Sequence, residues 1–239
     1  MNFIKKTNNF SILITVYNEE LNIIELFKNI QNLNLNKKNS EIIFIDDCST
    51  DKSFTLLSEL RKKNDIILVQ HKKNFGQSQA ILSGIQRSKF DNILTIDGDG
   101  QNPPRDIIKL TEEYFKDSTL ALLGGIRAKR KDNLIKIYSS KIANSVRKNF
   151  LQDDCIDTGC ALKIFDKKIF LSFPFFNGIH RFLPALFKGY GHKTKFINVG
   201  HLNRKHGYSK YNTSGRLFRG IKDMITVKNI IRKYNKVHD

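Results

Sequence analysis

The segment Asp97-Gly98-Asp99-Gly100-Gln101 carries the sharpest chemical pattern in the sequence. Its two carboxylates lie two residues apart, so on an extended segment they point to one side. There they can share a hard divalent cation through their oxygens, with Gln101 as a neutral third ligand. A cation held in this way bridges a diphosphate and neutralises charge on a leaving group. The alternative interpretation is a solvated Asp-Gly turn, which needs the same residue types.

Two other polar clusters follow apolar runs nearer the N-terminus, at Tyr17-Asn18-Glu19 and at Asp46–Asp51. We interpret one acid of the Asp46-Asp47 pair as an acceptor for a nucleobase edge or a ribose. A residue such as Ser49 could instead cap the helix that follows. Tyr17 can stack on a base with its flat apolar face, although a loop and a helix start explain it equally well.

A basic loop at residues 201–211 is a candidate phosphate cradle. Arg204 and Lys210 flank Gly207 and Ser209, so guanidinium, ammonium and hydroxyl donors surround a pliable stretch of backbone. On its own this pattern also fits a solvated basic loop. Beside a metal site, the phosphate-binding interpretation becomes the stronger one.

Short apolar runs alternate with amphipathic stretches through the first half of the chain, which predicts βαβ units on a parallel sheet. The predicted strands are Ser11–Val16, Ile42–Ile45, Ile66–Val69, Ile93–Ile96 and Leu120–Leu123. The predicted helices between them are Glu20–Ile30, Lys52–Lys62, Gln77–Arg87 and Arg105–Phe115. Ligands of such sheets bind at the carboxyl ends of the strands, so we expect the three acidic clusters to meet at one edge.

The second half predicts a helix at about Asn133–Asn149, a strand at Lys195–Val199 and a last helix at about Ser214–Lys233. No clean boundary separates the halves, so we predict one α/β domain over residues 1–239 with an extension on the acceptor side. The last helix carries Leu217, Phe218, Ile221, Met224, Ile225 and Ile231 mostly on one face, beside many basic residues. A basic amphipathic helix can lie on an anionic bilayer, or it can simply pack on the core.

Composition excludes several classes of protein. The chain has 239 residues, of which 40% are hydrophobic, so it can bury a full core and is not a disordered chain. Three cysteines argue against a disulfide framework and for a reducing compartment. We read the apolar run Phe10–Tyr17 as a buried strand rather than a signal peptide, because no small-residue cleavage site follows it. No apolar run reaches the ~18 residues of a membrane-spanning helix.

The net charge of +18 indicates either a biased composition or an anionic partner. The candidate partners are an anionic membrane surface, a phosphorylated ligand and nucleic acid. A nucleic-acid-binding protein should show a basic face with exposed aromatic side chains. Here the acids cluster at strand ends and the basic residues are spread widely, so we predict no nucleic-acid partner.

The clusters together resemble a known family. Ile14–Glu20, Phe44–Asp51 and Asp97–Pro104 are similar, in order and spacing, to three successive signatures of glycosyltransferase family 2, which has the GT-A fold. Gly124–Arg127, Asp157-Thr158-Gly159 and Arg204–Lys210 resemble segments of its polyprenol-phosphate sugar transferase branch, which contains dolichol-phosphate mannose synthase. The resemblance covers about residues 10–212. It implies a Rossmann-like, mostly parallel sheet flanked by helices.

The resemblance also implies a role for each matching residue. Tyr17, Glu19 and Asp47 would hold the base and ribose of a nucleotide-sugar donor. Asp97, Asp99 and Gln101, with the Gly98 carbonyl, would hold Mg²⁺ or Mn²⁺ and the diphosphate. The phosphates of donor and acceptor would contact Arg127, Arg204 and Lys210, with Ser209 in the same loop. Asp157 would orient the basic groups or bind the transferred sugar.

The implied function is transfer of a sugar from a GDP- or UDP-linked donor to a polyprenyl phosphate, with inversion at the anomeric carbon. A phosphate monoester is already ionised at neutral pH, so no general base is needed. About residues 10–125 would bind the nucleotide sugar and about 126–212 the acceptor, and the tail, about 213–239, would lie on the cytoplasmic face of the inner membrane. The alternative is transfer to a hydroxyl of lipopolysaccharide or another glycan.

Three departures from the family pattern stand out. Thr15 replaces the usual Pro, which we expect to shift only the geometry of the strand end. Gly98 and Gly100 replace the commoner Ala and Leu, which predicts a more flexible loop. Leu162-Lys163 occupies the stretch where the family places an Arg after the Asp-x-Gly element. Because Lys offers a point charge rather than a two-pronged donor, we expect different recognition of the acceptor phosphate.

Overall fold

The computed structural model describes residues 7–127, 147–203 and 214–238, with side chains described up to 203 and again from 220 to 237. Its strands are β1 Phe10–Val16, β2 Ser40–Asp46, β3 Ile67–Gln70, β4 Asn92–Asp97, β5 Leu120–Arg127, β6 Lys163–Asp166 and β7 Lys193–Val199. Its helices are α1 Ile23–Gln31, α2 Ser53–Lys63, α3 Gln77–Arg87, α4 Asp106–Lys116, α5 Lys167–Ser172, α6 Leu183–Gly189 and α7 Ser214–His238. A short 3₁₀ turn spans Ile179–Arg181.

The strands form one seven-stranded sheet in the order β3-β2-β1-β4-β6-β5-β7. Strands β1, β2, β3 and β4 are parallel to one another, and β5 is parallel to β7. Only β6, among the described strands, runs antiparallel to the strands on both sides of it. The prediction of a mostly parallel sheet flanked by helices is therefore confirmed.

Side chains alternate between the two faces of the sheet and build a hydrophobic layer on each. In β1, Phe10, Ile12, Ile14 and Val16 pack with α1, α2 and α4, while Leu13 packs with α3 on the opposite layer. Both faces are covered, which explains why the strand sequences are almost continuously apolar. The five strands and four helices predicted in the first half are all present, with ends displaced by no more than a few residues.

The second half contributes a central strand rather than a separate layer. Strand β6 lies between β4 and β5 of the first half, and Lys163 on β6 is opposite Thr95 and Gly124. The predicted helix at 133–149 lies largely outside the described residues, although residues 147–151 are helical. The predicted division of the chain into donor, acceptor and tail segments stays a prediction.

The C-terminal helix α7 docks against α6 at a close approach. Tyr190 stacks on Tyr234 with ring centroids 3.7 Å apart, and a Cβ on Gly189 would lie 2.6 Å from Ile231. The prediction of a single apolar face is wrong in part, because Ile231 packs on the core while Ile221 and Ile225 are exposed. The two sets lie on different sides of the helix. Among the described helices, none is long and apolar enough to cross a lipid bilayer.

Candidate functional site

The three acidic clusters lie side by side at one edge of the sheet. Parallel pairing places Val16 opposite Asp46, and Thr15 opposite Asp97. Beyond the strand ends, Asp47 N donates to the Val16 carbonyl at 2.9 Å, and Gly98 N donates to the Thr15 carbonyl at 3.0 Å. The carboxyl ends of β1, β2 and β4 therefore bring together the residues that the sequence predicts to converge.

The loop after β1 is held by hydroxyl and amide groups of the loop after β2. Asn18, which has a φ of +53°, donates from its backbone N to Ser49 Oγ at 2.9 Å and accepts from Thr50 N at 2.7 Å. Glu19 N donates to Ser53 Oγ at 2.8 Å, and Asn22 Nδ2 donates to Glu19 Oε2 at 2.7 Å. These bonds fix the backbone between Tyr17 and Glu19.

Asp47 is buried and anchored by the loop between β3 and α3. Its Oδ1 lies 2.7 Å from His71 Nδ1 and accepts from Phe75 N at 2.9 Å, and its Oδ2 accepts from Gly76 N at 2.7 Å. A carboxylate oxygen can accept two hydrogen bonds, so Oδ2 retains capacity for a ligand donor. His71 also contacts Ser83 Oγ at 2.9 Å. The sequence gives no signal for the role of His71, because its partner Asp47 lies 24 residues away in the chain.

Asp97 and Asp99 form the acidic pair at the carboxyl end of β4. Burial, then the charge of Asp99, raises the pKa of Asp97 to about 7, while Lys163 and Arg127 act in the opposite direction. Gln77 Nε2 donates to Asp97 Oδ1 at 2.6 Å, and Asp99 Oδ1 accepts from Gln101 N at 3.0 Å. The two carboxylates therefore lie in each other's field, an unfavourable arrangement that a cation would relieve.

The backbone geometry explains why both Gly98 and Gly100 of this loop are glycines. A Cβ on Gly98 would lie 2.9 Å from the Thr15 carbonyl oxygen, closer than side-chain carbons approach backbone. Gly100 has a φ of +72°, a conformation that favours glycine. Close packing under Gly98 and a tight turn at Gly100 therefore account for the departures from the commoner Ala and Leu. The predicted gain in flexibility stays a prediction.

The donor set fits a hard divalent cation that also binds a diphosphate. Within the described residues, no three His, Cys, Asp or Glu side chains are grouped so that they could hold a metal by themselves. Mg²⁺ characteristically uses one or two carboxylates together with substrate phosphates rather than a cage made only of protein. The paired carboxylates Asp97 and Asp99, with Gln101 beside them, correspond to that arrangement.

Arg127 and Asp157 face each other in a two-point ion pair. Arg127 Nε and Nη2 donate to Asp157 Oδ2 and Oδ1 at 2.7 and 2.6 Å, and Arg127 N donates to Oδ2 at 3.1 Å. Burial lowers the pKa of Arg127, but the hydrogen bonds and charge of Asp157 outweigh burial and raise it above its usual value. A Cβ on Gly159 would lie 2.9 Å from Nη2, so a larger residue there would displace the guanidinium.

Lys163 lies in the interior of the site rather than at its rim. Its Nζ donates to the carbonyls of Cys160 and Thr158, and so holds the turn that presents Asp157. Its charge also favours the ionised form of Asp97. Lysine stands here where the family usually has arginine, and its single ammonium group donates to two carbonyls of one turn.

A second histidine, His180, contacts the first turn of α3. Its Nδ1 lies 2.6 Å from Ser78 Oγ, and Gly178 N donates to the same oxygen at 2.8 Å. Burial, with the charges of Arg181 and Lys163, lowers the pKa of His180 to about 3, so the ring is neutral. The buried cysteines Cys155 and Cys160 are free thiols, as predicted.

The basic-loop residues Arg204, Ser209 and Lys210 lie outside the described residues. The residues just before them lie against the loop that carries Asp97 and Asp99, because Leu202 N donates to the Gln101 carbonyl at 2.9 Å. Gly200 N donates to Asp106 Oδ2 at 2.6 Å. The described end of this segment is therefore in direct contact with the loop that carries Asp97 and Asp99.

The mostly parallel seven-stranded sheet flanked by helices, with acidic residues at the carboxyl ends of β2 and β4, has the GT-A fold. The chain belongs to glycosyltransferase family 2, because the model described as "Glycosyl transferase family 2" matches residues 11–175. A solved structure of glucosyl-3-phosphoglycerate synthase from Mycobacterium tuberculosis, with Mn²⁺, UDP-glucose and phosphoglyceric acid, shares the fold. Its TM-score is 0.69 at 15% identity, over 93% of this chain and 80% of that one.

The curated relatives that the chain matches are named undecaprenyl-phosphate sugar transferases, which agrees with the predicted branch of the family. The chain is 32% identical over 219 residues to the undecaprenyl-phosphate 4-deoxy-4-formamido-L-arabinose transferase of Pseudomonas aeruginosa (strain LESB58). It is 34% identical over 206 residues to the protein of the same name from Pectobacterium carotovorum. These alignments cover 90% and 85% of this chain, and 64% and 62% of the relatives. The chain thus spans less than two thirds of the length of these relatives.

Proposed function

We propose that the protein transfers a sugar from a nucleotide sugar to a polyprenyl phosphate, with inversion at the anomeric carbon. The observation that carries the proposal is the acidic pair Asp97 and Asp99 within electrostatic reach of the Arg127–Asp157 ion pair. Carboxylates can bind a cation that is also bound to a diphosphate, and an oriented guanidinium can donate hydrogen bonds to a phosphate. The relatives' names support undecaprenyl phosphate as the acceptor, and the structures with UDP support a UDP-linked donor.

Each group has a defined task in this proposal. Tyr17, Glu19 and Asp47 hold the base and ribose, and Asp97, Asp99 and Gln101, with the Gly98 carbonyl, hold Mg²⁺ or Mn²⁺ on the diphosphate. Once bound, the cation neutralises charge on the departing nucleoside diphosphate. The acceptor phosphate is held by Arg127 together with Arg204, Ser209 and Lys210. Asp157 keeps the Arg127 guanidinium in one orientation.

The bond changes need no general base. An oxygen of the acceptor phosphate forms a bond to the anomeric carbon, while the bond from that carbon to the donor diphosphate breaks. The acceptor oxygen is already ionised, so no proton has to be removed. Positioning and charge neutralisation by the side chains supply most of the rate. The product has the opposite anomeric configuration to the donor.

We further infer that the protein works on the anionic cytoplasmic face of a membrane. A groove of about 580 Å³ beside α7 is lined by Lys188, Lys228, Arg232 and Lys236, over the apolar side chains of Leu151 and Ile231. Ile221 and Ile225 are also exposed on this helix, nearer its N-terminus. Each basic group near an anionic bilayer contributes up to about 1 kcal/mol of attraction.

The test is a panel of UDP- and GDP-sugars with undecaprenyl phosphate and Mg²⁺ or Mn²⁺. We expect lipid-linked sugar with inverted configuration by NMR, and UDP-linked 4-deoxy-4-formamido-L-arabinose belongs in the panel because of the relatives' names. A retained configuration would contradict the displacement mechanism. Transfer only to a glycan hydroxyl would contradict the proposal that the acceptor is a polyprenyl phosphate.

A further inference from the structure

The end of the loop between β3 and α3, together with the first residue of α3, connects two of the three acidic clusters of the site. Phe75 N and Gly76 N donate to Asp47 at 2.9 and 2.7 Å, and the next residue, Gln77, donates from Nε2 to Asp97 Oδ1 at 2.6 Å. Asp47 follows β2 and Asp97 is the last residue of β4, with β1 between the two strands in the sheet. Consecutive residues of the chain therefore contact acids at the ends of two non-adjacent strands.

The position of Gln77 is fixed from three directions. Gly76 has a φ of +88° and begins α3, so Gln77 occupies the first position of that helix. On its N-terminal side the backbone is bonded to Asp47. On its C-terminal side, Ser78 Oγ accepts from Gly178 N and contacts His180. The Gln77 amide thus reaches Asp97 from an anchored backbone.

We propose that Gln77 is a positioning residue that orients the Asp97 carboxylate towards the divalent cation. This inference rests on the proposed function. A neutral amide suits the task, because it occupies one lone pair of Oδ1 and leaves the charge of the carboxylate for the cation. Hydrogen bonds to metal-ligating carboxylates typically change metal affinity 10–100-fold when they are removed. Gln77 lies outside the segments that resemble the family signatures, so the assignment depends on the contact with Asp97.

Two variants of Gln77 test its positioning role directly, and one control variant lies on the same helix, α3. Gln77→Leu keeps the bulk and removes the donor, while Gln77→Asn keeps an amide but shortens its reach. Gln86→Leu is the control, since Gln86 is an exposed residue of α3. Mn²⁺ binding is measured by EPR in the presence of UDP. UDP binding in EDTA and the Tm are measured alongside.

We expect both Gln77 variants to bind Mn²⁺ about 10–100-fold more weakly than the wild type, and Gln86→Leu to bind it unchanged. UDP binding in EDTA and the Tm should stay at wild-type values. Unchanged Mn²⁺ affinity in Gln77→Leu would overturn the inference, as would an equal loss of UDP binding in EDTA. If the wild type itself binds no Mn²⁺, the metal assignment of the proposed function fails, and the inference fails with it.

Discussion

The guanidinium of Arg127 is fixed by Asp157 through two parallel hydrogen bonds of 2.7 and 2.6 Å, and the Arg127 backbone N donates to the same carboxylate. Both side chains are about one-eighth exposed. Two-point pairing sets the plane of a guanidinium as well as its position. Arg127 can therefore present its remaining donor atoms to a phosphate with little loss of side-chain freedom on binding.

Asp157→Asn should lower kcat/KM for lipid-linked sugar formation by about 10–100-fold, because small displacements of a substrate-positioning group are costly. The amide cannot accept both hydrogen bonds, so the guanidinium loses its fixed plane. Asp154→Asn is the matched control, since Asp154 is exposed and pairs with Lys188 on the surface. Equal kcat/KM in the two variants would show that Asp157 does not position Arg127.

Gly159→Ala should reduce kcat/KM without unfolding the protein. The new Cβ would lie 2.9 Å from Nη2 of Arg127, so the guanidinium has to move by several tenths of an ångström. Gly220→Ala is the control, because a Cβ there meets no atom within 4 Å and the residue lies within α7. Steady-state kinetics and thermal denaturation check both variants. A fully active Gly159→Ala enzyme would mean that the position of Arg127 is not critical.

Replacing Lys228, Arg232 and Lys236 with Gln should weaken binding to anionic liposomes by up to about 100-fold, at about 1 kcal/mol for each charge. Replacement of Lys37, Lys38 and Lys63 removes the same charge from exposed positions outside the groove and serves as the control. Flotation assays at low and physiological salt measure both. An equal loss in the two triple variants would indicate attraction by net charge alone, without a specific face.

Much of the first half could be predicted from sequence, because buried parallel strands are continuously apolar and the helices repeat at 3.6 residues. The acidic edge follows from that topology. The sequence could not reveal that β6 enters the sheet between β4 and β5, since this pairing joins residues about 70 positions apart. Gln77 and His71 were missed for the same reason, as each is defined by a contact with a distant acid.

The tail was only partly predictable. Its apolar residues are spaced for a helix, but periodicity alone does not tell which of them meet the protein. Close approach at Gly189 turns Ile231 inward and leaves Ile225 exposed. A hydrophobic residue on a terminal helix can therefore be assigned to core or surface only after its docking partner is known.

The central claim is that the acidic pair at the carboxyl end of β4 holds a divalent cation that sugar transfer requires. The most direct measurement is turnover with undecaprenyl phosphate and the active donor, with Mn²⁺ or Mg²⁺ and with EDTA, for the wild type, Asp99→Asn and the control Asp91→Asn. Asp91 is exposed and pairs with Lys168. We predict that EDTA abolishes turnover reversibly and that Asp99→Asn loses about 10²–10³-fold, with Asp91→Asn unaffected. Wild-type turnover in EDTA, or full activity of Asp99→Asn, would contradict the claim.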